Sequence, residues 1–278
     1  MLKKHFHYFV MTAIYKQKSQ KTRLKGVKSI GSPNRKQYIY RYMPIDVFYL
    51  CLSNNNIRFV QPSTWKDQFE KRFYEADYAT KLHASSDTHP KLYALCTTIA
   101  KDCEPSWQMY SKSSMVQIKI NRKKFLQLLS KYSASHNIYF YEGLANYGIK
   151  AEHISILHEP IYLRDGKPCK VTGHDLLFNN FDLDSYLNLL QLKRSAFSYE
   201  QEVRYFAIPK TEMTDSELYV DISWIDIIEE IRVSNSISVV EWDSLTNILR
   251  NKGINISKLI KYDIYQDNIS TGKLVIEP

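Results

Sequence analysis

KRSAFSYEQEVRYF, residues 193–206, is the stretch around which the rest of the chain is read. Ahead of it, residues 183–192 carry apolar side chains at helical spacing (Leu183, Tyr186, Leu187, Leu190), which predicts a helix over 181–194. Behind it, Val203, Tyr205 and Ala207 alternate with Arg204, Phe206 and Ile208, the pattern of a strand mostly buried on both faces. Between the two, Glu200 and Glu202 stand two apart. If both are extended, they project from one face about 7 Å apart. The junction then gathers carboxylates, tyrosines and cations where a helix meets a strand. The plainer reading is a corner whose charges face water, because exposed Glu and Lys are what surfaces are made of.

Working outward, residues 37–43 (QYIYRYM) alternate and are aromatic, which predicts the first core strand. A helix is expected over 44–52, with Pro44 near its start, then a strand over 57–60 and a turn over 61–64 that carries Ser63 and Thr64. Residues 65–70 open a polar helix or loop. Further strands are expected over 92–100, 115–120, 137–141, 159–163, 218–221, 227–233 and 259–265, with helices over 121–132 and 238–251. Trp107 and Tyr110 face alike if residues 103–111 are helical, and ordinary packing explains that equally well. Strands predominate, interrupted by short helices, and no internal repeat is visible.

Composition excludes several classes. The 8 glycines form neither GxGxxG nor GxxxxGK[ST], so no dinucleotide fingerprint or P-loop is present. Four cysteines without a CxxC pair read as reduced thiols rather than a disulfide framework. The 8 histidines include no HExxH, so no metal site is expected. The net charge of +9 is unevenly placed. Residues 1–36 hold ten Lys or Arg and no Asp or Glu, leaving 38 − 10 = 28 cations against 29 anions in 37–278. We therefore expect a basic flexible arm over 1–36 and one folded domain over 37–278. The arm reads equally as a nucleic-acid contact, a docking segment for a partner, or a solubilising tail. Residues 8–15 follow Lys3 and Lys4 as an apolar run without a small-residue cleavage site, so a cytoplasmic protein without membrane contact is expected.

Four of these stretches, in order, resemble a bacterial domain-of-unknown-function family. They are Tyr40-Arg41-Tyr42, Asp67-Gln68-Phe69-Glu70, Ser106–Tyr110 and Lys193–Arg204. Members of that family carry a strand-borne YKY or YHY, an NDPFE, an MWxxY and a KSxxWxYExEYR. Phe69, Glu70, Trp107, Tyr110, Lys193, Tyr199, Glu200, Glu202 and Arg204 match. Lys66, Gln68, Ser106, Arg194, Phe197 and Val203 depart from the pattern. The family is similar to the ADP-ribosyltransferase fold, which includes DarT-type toxins that modify nucleic acid. The resemblance implies an α+β fold of two small, packed, mostly antiparallel sheets with flanking short helices. It places Arg41 on NAD, Ser63 and Thr64 beside the site, and Glu200-Gln201-Glu202 at the catalytic position.

The chemistry suits those residue types. Cleaving the nicotinamide–ribose bond creates oxocarbenium character, which a carboxylate beside the ribose stabilises. Glu202 is the candidate, with Glu200 serving the acceptor. Arg41 offers a planar fork to phosphate or ribose oxygens, and Tyr42, Trp107 and Tyr110 offer rings to stack the nicotinamide, with Tyr199 counted among the cofactor contacts. The resemblance thus implies an NAD-dependent mono-ADP-ribosyltransferase with NAD as substrate. It further implies a toxin of a toxin–antitoxin or phage-defence system, an acceptor that is nucleic acid (RNA over DNA) or protein, and an antitoxin or chaperone as partner. An NAD glycohydrolase and a non-catalytic binding module are the alternatives.

Overall fold

The computed structural model describes residues 20–21, 24–32, 34–75, 91–108, 114–149, 160–162, 168–172, 183–211 and 213–262. The chain begins with β1 (Gln20–Lys21), β2 (Val27–Ser29), β3 (Tyr38–Pro44), α1 (Ile45–Asn54) and β4 (Asn56–Val60). Pro44 fixes the backbone at the start of α1, and Asn55 ends it in the left-handed region at φ 50°, its N–H donating to the Cys51 and Leu52 carbonyls. A 3-10 turn over Pro62–Thr64 leads to α2 (Gln68–Glu75), β5 (Tyr93–Thr98), α3 (Glu104–Gln108) and β6 (Met115–Asn121). Next come α4 (Arg122–His136), β7 (Ile138–Leu144), β8 (Asn146–Ile149), β9 (Pro160–Tyr162), β10 (Pro168–Thr172) and α5 (Leu183–Leu189). After α5 the chain forms β11 (Leu192–Arg194), a 3-10 turn over Ser195–Glu200, β12 (Glu202–Pro209) and β13 (Glu217–Asp221). It closes with α6 (Trp224–Ile227), β14 (Ile228–Ser234), α7 (Val239–Asn251) and β15 (Leu259–Tyr262). A capping box starts α7: Ser238 accepts from the Glu241 N–H, and the Glu241 carboxylate accepts from the Ser238 N–H.

Most strands belong to a large mixed sheet, and two further sheets have two strands each, in place of the two small packed sheets that were expected. Among the described residues no helix is long and apolar enough to cross a membrane. By packing the chain divides into two units made of interleaved segments: residues 1–36, 58–96 and 126–220 in the first, 37–57, 97–125 and 221–278 in the second.

Within the first unit the strand order is β1-β2-β7-β12-β5, and β4 joins β5 at Val60↔Ala94. β12 runs antiparallel to β7 from Val203↔Leu144 to Pro209↔Ile138, and Val203, Tyr205, Phe206 and Ala207 are fully buried, as the doubly apolar pattern requires. Phe206 and Tyr141 pack with Leu187, Leu190, Phe69 and Ile30. Ile30 lies in the stretch 1–36, which composition reads as an arm. β2 pairs parallel to β7 at Val27↔Phe140, and Val27 and Ile30 are buried. Two apolar side chains among many cations suffice because the strand borrows its hydrogen bonds from β7. Gly143 lets that segment approach: a Cβ there would collide with the Ile30 carbonyl and the Gln191 amide.

Within the second unit the order is β3-β6-β14-β15, antiparallel except for the last pair, which is parallel from Ile231↔Leu259.

Candidate functional site

The helix expected over 181–194 stops at Leu189; residues 192–194 become β11, paired parallel to β8. Glu200 is not extended either. It ends the 3-10 turn, and Gln201 turns the chain at φ 42°, ψ 51° before Glu202 begins β12. The two carboxylates therefore converge through a turn and not through strand pleating.

They converge on Lys193. Its Nζ donates to Glu200 Oε2 at 2.5 Å and to Glu202 Oε2 at 2.8 Å, with Glu70 Oε1 at 3.6 Å. Arg204 completes the group from two residues further along β12. Its Nε donates to Glu202 Oε1 at 3.0 Å, and its Nη2 donates to Glu202 Oε2 at 3.0 Å and to Glu70 Oε2 at 2.8 Å. Arg204 Nη1 donates to the Leu190 carbonyl, which uses an acceptor left open where α5 ends. The Trp65 ring lies 4.6 Å from the guanidinium carbon. A second bridge, Arg194 Nη2 to Asp67 Oδ2 at 2.8 Å, ties β11 to the residue just before α2. Below the cluster the Tyr147 hydroxyl accepts from the Glu202 N–H at 2.7 Å. These charges are buried, not turned to water as the plainer reading had it: Arg204 is wholly enclosed, and Lys193, Glu70 and Glu202 are all buried.

Three carboxylates share two cations, and their ionisation splits. Burial alone would raise Glu202, but Arg204 and Lys193 overcome it and hold the group at about 2. Burial raises Glu200, with Lys193 opposing. Burial likewise raises Glu70 against Arg204 and Lys193, and its Oε1 has no hydrogen bond. Burial lifts the Cys96 thiol well above its ordinary value, with the Glu202 charge adding to the effect, so it stays a neutral donor to Glu202.

The remaining expected residues sit as follows. Ser63 and Thr64 occupy the 3-10 turn, where the Thr64 hydroxyl donates to the Gln61 carbonyl at 2.7 Å. Tyr199 is exposed in the turn before Glu200, its ring 6.4 Å from that of Phe197. Arg41 and Tyr42 lie on β3 in the second unit, opposite Ile118 and Gln117. There Tyr42 meets Trp107 edge-on at 5.3 Å, and Trp107 stacks on Tyr262 at 5.4 Å. Trp107 Nε1 is buried without a hydrogen bond. Tyr110 lies outside the described residues. Among those described, no group of three or more His, Cys, Asp or Glu is placed to hold a metal ion.

Glu70 was noticed in sequence only as a match to a pattern, and Lys193 and Arg204 also as cations of the 193–206 junction. Their signal was complementary charge: two stretches more than a hundred residues apart, one ending in Glu70, the other running from Lys193 to Arg204. Tyr147, Trp65 and Cys96 gave none.

No family model and no curated protein matches this chain. A solved structure, DarT from Thermus sp. 2.9 in complex with NAD+, is similar over 84% of this chain and 98% of its own, at 9% identity and a TM-score of 0.34. A likeness that loose leaves the reading to the residues themselves.

Proposed function

We propose that the chain is an NAD-dependent mono-ADP-ribosyltransferase in which Glu202 stabilises the oxocarbenium character of the ribose as nicotinamide leaves. The observation that carries this reading is the split ionisation of two carboxylates on one ammonium: Glu202 held at about 2, Glu200 raised. Environments that push neighbouring carboxyl groups apart assign one to charge stabilisation and the other to proton transfer. The glycosidic bond breaks with its electron pair going to nicotinamide. The ribose carbon then bonds the acceptor nucleophile, whose proton passes to Glu200. The motif resemblance, rather than any geometry, is what assigns Arg41 to a phosphate or ribose oxygen and Tyr42, Trp107, Tyr110, Ser63, Thr64 and Tyr199 to NAD. The motif resemblance and the cationic stretch 1–36 support a nucleic-acid acceptor, RNA before DNA. The motif resemblance alone extends the proposal to a cytoplasmic toxin in a toxin–antitoxin or phage-defence system.

A non-catalytic reading has its own observation: every carboxylate of the cluster already faces Lys193 or Arg204. Nicotinamide release from adenylate-labelled NAD separates the two. Glu202→Gln keeps the shape and removes the charge, and at equal folded fraction its rate is expected to fall about 10²–10³-fold. Label entering nucleic acid marks a transferase, and label ending only in free ADP-ribose marks an NAD glycohydrolase. No NAD consumption by the wild-type chain, or an undiminished rate in folded Glu202→Gln, removes the enzymatic reading.

A further inference from the structure

Glu70, Glu200 and Glu202 meet only two cations, Lys193 and Arg204, so the cluster carries one negative charge in excess when all five groups are ionised. The other titratable groups facing it do not offset that charge. Asp67 pairs with Arg194, and burial keeps the Cys96 thiol and the Tyr147 phenol neutral. One proton therefore balances the cluster. Glu202 is the wrong place for it, because Arg204 bonds both of its oxygens and the group is held at about 2. Glu70 and Glu200 remain, both raised by burial.

The Lys193 ammonium lies within reach of both and bonds one. Its Nζ donates to Glu200 Oε2 and Glu202 Oε2, which uses two of its three N–H groups. Glu70 Oε1 lies 3.6 Å away, beyond hydrogen-bond distance, buried and unbonded. Glu70 is not free to approach, since its Oε2 is tied to Arg204 Nη2 at 2.8 Å, and Arg204 is itself enclosed and anchored on the Leu190 carbonyl. Lys193 can move: Nζ ends a flexible four-carbon stem, and a shift of about 1 Å closes the gap. Glu200 ends the 3-10 turn, and its side chain, 17% exposed, is the most open of the three, so an acceptor reaches it first.

We propose that Lys193 is a positioning residue that exchanges Glu200 for Glu70 when Glu200 takes the acceptor's proton, keeping its bond to Glu202 throughout. This deepens the transferase reading and rests on it for the source of the proton. Neutralised Glu200 no longer holds the ammonium by charge, and the unbonded oxygen of Glu70 does. Lys193 keeps its own three protons, so the only proton that moves is the one the acceptor releases. Glu202 faces the same two counter-charges before and after transfer.

Glu200→Gln imitates the protonated carboxyl in shape and charge, and a crystal structure of that variant without NAD tests the exchange. Lys193 Nζ is expected within about 3 Å of Glu70 Oε1 and still on Glu202. A Glu70 Oε1 that remains beyond hydrogen-bond distance of Nζ overturns the proposal. Kinetics supplies a second measurement. Glu70→Gln removes the charge that draws the ammonium away, while its amide oxygen still accepts from Arg204. Its kcat for transfer into nucleic acid should fall about tenfold, one unit of base strength at Glu200, at unchanged KM for NAD. Undiminished transfer by folded Glu70→Gln likewise overturns the exchange. Failure of the transferase reading shows separately, as absence of nicotinamide release by the wild-type chain, and leaves the Glu200→Gln structure to decide where Lys193 goes.

Discussion

Arg204 in the first unit and Arg232 in the second are both buried, and both hold two acids. Arg232 donates from Nη1 to Asp102 Oδ1 at 2.9 Å and from Nε to Glu230 Oε1 at 2.5 Å, with the Tyr262 ring 4.5 Å from its guanidinium carbon. The partners differ. Around Arg204 the side chains of Glu70 and Glu202 are 7% and 6% exposed, whereas Asp102 and Glu230 are 47% and 20% exposed. Water can take over the acids of Arg232 but not those of Arg204. The same residue types thus form a site whose ionisation is set by protein in one place and a rim contact in the other. The difference lies in burial of the acids, because it is desolvation that lets a neighbouring cation dominate.

The largest effect expected from that difference is on Arg204. Arg204→Met leaves Glu202 and Glu70 buried with one cation, Lys193, between them. Unpairing a buried charge costs about 3–5 kcal/mol, so the urea midpoint should drop sharply or the chain should fail to fold. A loss under about 1 kcal/mol would mean that water reaches the cluster and that the contrast with Arg232 is false.

How much of this was legible in sequence depends on distance along the chain. β3, α1, β6, β12 and α7 lie within a residue or two of their expected places because apolar periodicity and, for α1, Pro44 are local signals. The β11 strand was read as helix because Leu187, Leu190 and Leu192 continue an apolar run, and only pairing with β8 decides that the last of them is extended. The same holds for β2, whose partner β7 begins more than a hundred residues later. Within the site, Glu200 and Glu202 were legible as a pair. Their environment was not, because Glu70 approaches Arg204 across 134 residues and Tyr147 reaches Glu202 across 55. The left-handed turn at Gln201 carries no glycine to announce it.

An intermediate effect is expected from pH. Glu202 falls from its ordinary 4.5 to about 2 on folding, so its contribution is fully present above 4.5 and is lost as pH drops from 4.5 towards 2. A shift of that size is on the order of 3 kcal/mol. Glu70 and Glu200 are raised and act with the opposite sign, withdrawing stability as pH rises above 4.5. Urea unfolding across this range should therefore show the wild-type advantage over Glu202→Gln shrinking on acidification. A difference between the two that does not change with pH would mean Glu202 is no more ionised in the folded state than in the unfolded one.

The smallest effect belongs to Arg232. Arg232→Met retains most of the packing volume, and Asp102, half exposed, hydrates once released. What disappears is a partly solvated pair and the contact of a guanidinium with the Tyr262 ring. Together these are expected to contribute about 1 kcal/mol. The loss should shrink further in high salt, since a pair open to water is screened while the enclosed pairs of Arg204 are not. Denaturation of Arg232→Met at low and high ionic strength measures both. If its loss instead matches that of Arg204→Met and ignores salt, Asp102 and Glu230 are as poorly hydrated as Glu70 and Glu202. The second unit then holds a charge site of the same kind as the first.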